Sequence, residues 1–197
     1  MEFNPKPVEL RGQKVIIEPI SRSHREALYE IGREADDWRY MPRSCFHSRD
    51  DVSEWIDQAL ELQATGEQVC FVLRAPDSNR LMGSTRFMAI RKPHRGLEIG
   101  WTWLGKEFQR TLVNTETKFL LLRHCFEDLG ALRVELKTDS RNVRSQNAIE
   151  RIGATREGIF RRHMITQNNY VRDSVYFSIV DTDWPRVKPH LESLHVK

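Results

Sequence analysis

The chain has 197 residues, 39% of them hydrophobic and 30% charged, which suits one soluble domain with a sizeable core. No apolar run approaches the ~20 residues of a membrane span, and the start "MEFNPKPVELRG" lacks the apolar core of a secretion signal, so a cytoplasmic location is expected. The net charge of +3, from 31 basic and 28 acidic residues that are mostly interspersed, is too small an excess to argue for nucleic acid.

In chain order, "VELRGQKVIIEPI" reads as one strand, or as two with a turn at Gly12. "SHREALYEIG" pairs Ser23 with Glu26 three residues later, the spacing of a capping box at a first helix. The connection "DDWRYMPRSCFH" carries Trp38, Tyr40 and Phe46, which either pack on the domain or form a substrate wall. A second helix is expected from about Asp50 to Ala64, capped by Ser48. Two strands, "QVCFVLRA" and "LMGSTRFMAI", flank the turn "PDSN".

In "LEIGWTWL" the residues Leu97, Ile99, Trp101 and Trp103 alternate with Glu98, Gly100 and Thr102, which predicts a strand with two distinct faces. From Asn114 to Leu129 the period becomes helical, with a stripe of Leu121, Leu122, Cys125, Phe126 and Leu129 ended by Gly130. "LRVELKT" is then a strand, "NVRSQNAIERIG" a helix, and "GIFRRHMIT–QNN–YVRDSVYFSIV" a long hairpin with the potential to form a homodimer contact. Cys45, Cys70 and Cys125 are widely spaced in apolar settings, so reduced core thiols are expected, with neither a disulfide framework nor a zinc site.

The order β-α-α-β-β-β-α-β-α-β-β gives an α+β (mixed α/β) fold in a single domain, residues 1–197, with helices on both faces of one sheet. The segments "GLEIGWTW", "NTETKFLLLRHCFEDLGALRVELKTDSRNVRSQNAIERIGA" and "EGIFRRHM…RDSVYFSI" resemble the GNAT superfamily of acyl-CoA-dependent N-acetyltransferases. The nearest branch is that of the ribosomal-protein N-terminal acetyltransferases and their small-molecule relatives. The likeness covers nearly the whole chain and is strongest from Leu97 to Val180. It implies acetyl-CoA as co-substrate, an amine acceptor that is a small molecule or a protein N-terminus, no metal, and a partly splayed central sheet.

The residues give this physical sense. A helix start after a strand suits a pyrophosphate, and Gln109, Arg110, Thr111, Leu112, Val113 and Asn114 form such a junction. The strand of Trp101 and Trp103 offers an edge for the pantetheine amides, and a splayed pair of strands leaves a slot for the arm. Asn142 caps the helix that it opens. The family likeness adds a bond from Asn142 to the cofactor arm and a place near the thioester sulfur for Ser145, as donor to the departing thiolate. A primary amine is mostly protonated at neutral pH and must lose a proton to attack, and Glu98, on the central strand, is the candidate base because it resembles the glutamate found there in related enzymes. Trp38 and Tyr40 are candidates for the acceptor wall. His163 is a candidate second base, and some of Arg141, Arg144, Arg151 and Arg156 are within sequence reach of the phosphates.

One feature departs from the family pattern. Relatives carry glycines in the pyrophosphate turn, whereas Arg110 and Leu112 stand at those positions here. Leucine is compatible with a helical start and Arg110 with an added phosphate contact; alternatively the Leu112 side chain blocks the diphosphate. Three readings therefore remain open from sequence: an N-acetyltransferase, a non-catalytic GNAT-fold binding module, and a nucleic-acid-associated protein using the basic stretch Arg141–Arg162.

Overall fold

The computed structural model describes residues 2–195. The first apolar segment is a hairpin of two strands, Leu10–Arg11 (β1) and Ile16–Pro19 (β2), turning through Gly12. Helix Arg25–Gly32 (α1) follows the 3-10 turn Arg22–His24, and that turn is capped by Ser21 rather than Ser23. The Ser21 N–H donates to His24 Nδ1 at 3.1 Å, so a histidine closes the box, while Glu26 pairs with Arg25 and Arg49 on the surface. Helix Arg49–Ala64 (α2) is capped as expected, with Ser48 Oγ accepting from the Asp51 N–H at 3.1 Å.

Val69–Arg74 (β3), Leu81–Arg91 (β4) and Gly96–Leu104 (β5) form an antiparallel meander. Helix Val113–Arg123 (α3) runs on through one π turn, His124–Asp128, and stops at Gly130 with φ +66°. Arg133–Asp139 (β6), Val143–Arg151 (α4), Thr155–Ile165 (β7) and Val171–Val180 (β8) complete the expected order. A last helix, Trp184–His195 (α5), was not expected; it contains Pro185 and Pro189 yet buries Trp184, Val187 and Leu191.

The eight strands form one sheet in the order β1-β2-β3-β4-β5-β6-β8-β7, with β5 and β6 as its parallel pair. The fold is α+β, with a mixed sheet between two helical layers. One core lies under α3 and α5 and contains Leu97, Ile99, Leu121, Cys125, Val134 and Phe177. The other lies under α1 and α2 and contains Trp38, Phe46, Trp55, Cys70 and Trp103. The three cysteines are free and buried, which fits apolar thiols.

Two irregularities of β5 position the site. Gly100 stands opposite Arg86 and Trp103 opposite Ser84, so β5 spends one more residue than β4 over that interval. The extra residue is a bulge at Trp101, held at φ +51°. It reverses the parity of the strand: Leu97 and Ile99 face the first core, but Trp103 faces the second and Leu104 the first. The uninterrupted alternation read from sequence is therefore corrected to two alternating halves out of phase. In addition, β5 pairs with β6 only from Gly96 to Glu98, against Arg133 to Glu135. Beyond Glu98 the strands part, β5 staying with β4 and β6 with β8.

Candidate active site

The gap between β5 and β6 is the mouth of a cleft of about 550 Å³. Glu98, Trp101, Trp103, Gln109, Arg110, Thr111, Asn114, Asn142, Ser145 and Tyr40 all line it, so residues distant in sequence converge as expected. The edge of β5 that turns away from β4 beyond Glu98 faces this cleft in place of β6, which leaves backbone amide and carbonyl groups for a ligand.

At one end stands the start of α3. Leu112 has helical angles at the cap, φ −71° and ψ −10°, and is not part of the cleft lining. The Leu112 side chain thus does not block the junction. Val113 is buried in the first core, so it contributes to the site at most through its backbone, and its N–H lies 3.3 Å from Thr111 Oγ1. The first-turn N–H groups of any helix lack intrahelical acceptors and favour an anion. Arg110 adopts φ +60°, a left-handed conformation in which glycine is ordinarily more comfortable. Arg144 and Arg151 also line this end. Arg144 Nη1 donates to Gln109 Oε1 at 2.8 Å, and Gln109 Nε2 to the Leu104 carbonyl at 3.0 Å, tying α4 to the junction. Arg141 instead pairs with Asp139, and Arg156 is outside the lining.

On the flank, Asn142 Oδ1 accepts from the Ser145 N–H at 3.0 Å, so the helix cap is real and the Asn142 amide nitrogen is what remains to donate into the cleft. Deeper in, Glu98 is 2% exposed and paired with Lys137, Oε2 to Nζ at 2.9 Å. Burial raises its carboxyl above the usual range, with Lys137 partly offsetting the rise. Gly100 leaves room for this carboxylate, since a Cβ there would sit 2.6 Å from Glu98 Oε1 and 2.8 Å from Met88 Sδ and one of the two side chains would have to shift.

Several expectations change. Trp38 is fully buried, its ring 5.0 Å from Phe46 and 4.8 Å from Trp103, so it belongs to the aromatic core and not to the cleft wall. Trp103 borders the cleft, but its ring is spent on that same core. Trp101 is half-buried and stacks on Arg86 at 5.0 Å. His163 lies outside the cleft lining, bonded to Ser174 Oγ at 3.0 Å and Tyr176 Oη at 3.2 Å, with burial first among the causes that lower its pKa.

Besides Lys137, two buried cleft cations were missed. Lys118 is 5% exposed on the α3 side, its Nζ donating to Thr102 Oγ1 at 2.6 Å, and burial lowers its pKa from 10.5 to about 7. Its position four residues after Asn114 was the available signal, because that spacing puts both on one helix face. Arg172 is 5% exposed at the opposite wall and shares a β8 face with Ser174 and Tyr176.

A family model described as an acetyltransferase (GNAT) domain matches residues 14–155. The curated protein "Uncharacterized N-acetyltransferase YnaD" of Bacillus subtilis (strain 168) is 23% identical over 172 residues, covering 87% of this chain and 96% of that one. A solved GCN5-related N-acetyltransferase from Brucella melitensis superposes with a TM-score of 0.90 at 26% identity, covering 96% of this chain and 86% of that chain. The ribosomal-protein-S5-alanine acetyltransferase from Vibrio fischeri shares the fold at 17% identity, with a TM-score of 0.72 over 90% of this chain and 98% of that one. Splayed strands, helix start and family match converge: the chain belongs to the GNAT family of acyl-CoA-dependent N-acetyltransferases.

Proposed function

We propose that the protein transfers an acetyl group from acetyl-CoA to the nitrogen of a primary amine by direct attack, without an acyl-enzyme. The carrying observation is the polarity of the cleft across the β5/β6 opening. One end offers a helix start with Arg110, Arg144 and Arg151, and the other offers the buried carboxylate Glu98, paired with Lys137 and within the field of Arg172. The first end matches the phosphates of a coenzyme A thioester and the second matches an amine that must lose a proton.

The Thr111–Asn114 turn and its arginines hold the phosphates, and the free edge of β5 after the bulge holds the two pantetheine amides. The Asn142 amide adds a donor from α4. Acetyl-CoA supplies the activated acyl group; the rest is positioning and proton management. Glu98 takes a proton from the acceptor ammonium, directly or through water, and its raised pKa brings it closer to the working pH of a base. A backbone N–H near the Trp101 bulge polarises the thioester carbonyl. Ser145, which shares the cleft with Glu98, relays a proton to the departing thiolate as the carbon–sulfur bond breaks, regaining its own from the second proton that the nitrogen sheds once the carbon–nitrogen bond has formed.

The test is Glu98→Gln, followed by release of coenzyme A thiol across about pH 6 to 9, the range in which amines and bases titrate. Turnover should fall by about 10²-fold or more, with the loss greatest at the acid end and acetyl-CoA affinity nearly unchanged. Wild-type turnover throughout that range removes Glu98 from the role.

A further inference from the structure

We infer that the acceptor carries a carboxylate a few bonds from its amine, and that Arg172 binds that carboxylate; the inference rests on the transferase reading above. Arg172 is 5% exposed and lines the acceptor end of the cleft with Glu98 and Tyr40. Its Nε donates to Ser174 Oγ at 2.9 Å, and its Nη1 reaches the Tyr40 carbonyl only at 3.5 Å. Among the described residues no carboxylate pairs with it. The two nearby candidates are already engaged, Glu98 by Lys137 and Asp139 by Arg141. The charges of Asp139 and Glu98 only partly offset the burial of this guanidinium, which has no direct ion-pair partner, and a planar fork facing a cleft is suited to a carboxylate held by two parallel bonds.

The guanidinium is also held in place. Ser174, which accepts from Arg172, is bonded in turn to His163 Nδ1 at 3.0 Å, and His163 Nε2 to Tyr176 Oη at 3.2 Å. Lys137 adds a second positive charge beside Glu98, its Nζ 5.7 Å from the Tyr176 ring. The inner acceptor wall therefore holds Arg172, Lys137 and the carboxylate of Glu98, while the exposed Asp36 also lines the cleft. A diamine or polyamine would bring its second ammonium against Arg172, whereas an amino acid presents complementary charge at both ends.

The experiment measures kcat/KM by thiol release for straight-chain amino acids of increasing length, their carboxamides, and diamines of matching length. Dipeptides with Glu or Gln in second place separate a free carboxylate from an acidic side chain. The wild type should prefer the carboxylate member by about tenfold or more at the best length, as expected for a site built around one charged group. In Arg172→Gln the preference should collapse to within about threefold, and Arg172→Lys should restore part of it. Acetyl-CoA affinity, measured by calorimetry, should be unchanged in both. A wild type that is indifferent to the carboxylate, or that prefers a diamine, overturns the inference, and so does a preference that survives in Arg172→Gln. If no acceptor turns over, the probes become the N-acetyl amino acids and N-acetyl carboxamides, titrated into the coenzyme A-loaded protein. Equal binding, or none, overturns the inference, while tighter binding of the acids that depends on Arg172 supports it. Acetyl-CoA binding with an indifferent acceptor site sinks this inference alone; failure to bind acetyl-CoA sinks the transferase reading beneath it.

Discussion

Replacing Lys118 with Met should change how stability depends on pH. The Lys118 amine is buried on the α3 side of the cleft, with Thr102 Oγ1 as its acceptor at 2.6 Å. In the unfolded chain a lysine keeps its proton to about pH 10.4. In the folded protein burial, partly offset by the charge of Glu98, lowers that limit from 10.5 to about 7. Between those values the unfolded state binds one more proton than the native state, so stability rises with pH, by about 1.4 kcal/mol per unit at most. Below that window both states are protonated and the cost of the buried ammonium is felt in full. Above it both are neutral and the cost is gone. Lys118→Met keeps an unbranched side chain one heavy atom shorter and removes the titrating amine. Equilibrium unfolding in denaturant, at steps across the window from about 7 to 10.5, should find the variant more stable at the acid end, with the gap closing toward the alkaline end. Groups that do not interact with Lys118 act equally on both proteins and cancel in the difference, and Glu98, which does interact with it, is held fixed by reading the gap across the alkaline window alone. Parallel curves would refute the reasoning and place a charged, solvated lysine in the cleft.

Gly100→Ala should push the Glu98 carboxylate away from its place beside Met88, because the new methyl would stand 2.6 Å from Oε1. Turnover should fall by about tenfold or more while acetyl-CoA binding holds, and equal loss of both would show a collapsed cleft instead. Arg110→Gly relieves a left-handed arginine, so the melting temperature should hold or rise, yet removing a charge from the phosphate end should weaken acetyl-CoA binding about fivefold, an exposed ion pair being worth ~1 kcal/mol. Leu112→Gly should give no tighter binding, since Leu112 is outside the cleft lining; calorimetric tightening in that variant would revive the blocked-turn reading.

The second half of the chain was legible because its periodicity switches cleanly between strand and helix, and because Gly130 sits where α3 stops. The bulge was not legible. A tryptophan at φ +51° runs against its own local preference, and only the mismatch with β4 reveals it. Helix α5 was hidden by Pro185 and Pro189, although the spacing of Trp184, Val187, Leu191 and Leu194 gave an apolar stripe that outweighs them. In the aromatic connection, Trp38 turned inward and Tyr40 faced the cleft, a choice made by the Phe46 and Trp103 rings and not by anything local. Glu98, Asn142 and Ser145 were named from the family likeness, which a close reading of their elements alone does not supply, and all three line the cleft. Lys118 and Arg172 were missed because a cation within a helix or strand looks like surface until the sheet opens beside it.

Hydrogen exchange with and without saturating acetyl-CoA tests the central claim most directly, that the coenzyme lies in the opening between β5 and β6 with its phosphates at the start of α3. The account predicts slowed exchange in two separate stretches, the amides of Trp101–Leu104 on β5 and those of Thr111–Thr115 at the helix start, with the β1/β2 hairpin unaffected. Acetyl-CoA that binds without protecting either stretch, or that fails to bind at about millimolar concentration, contradicts it.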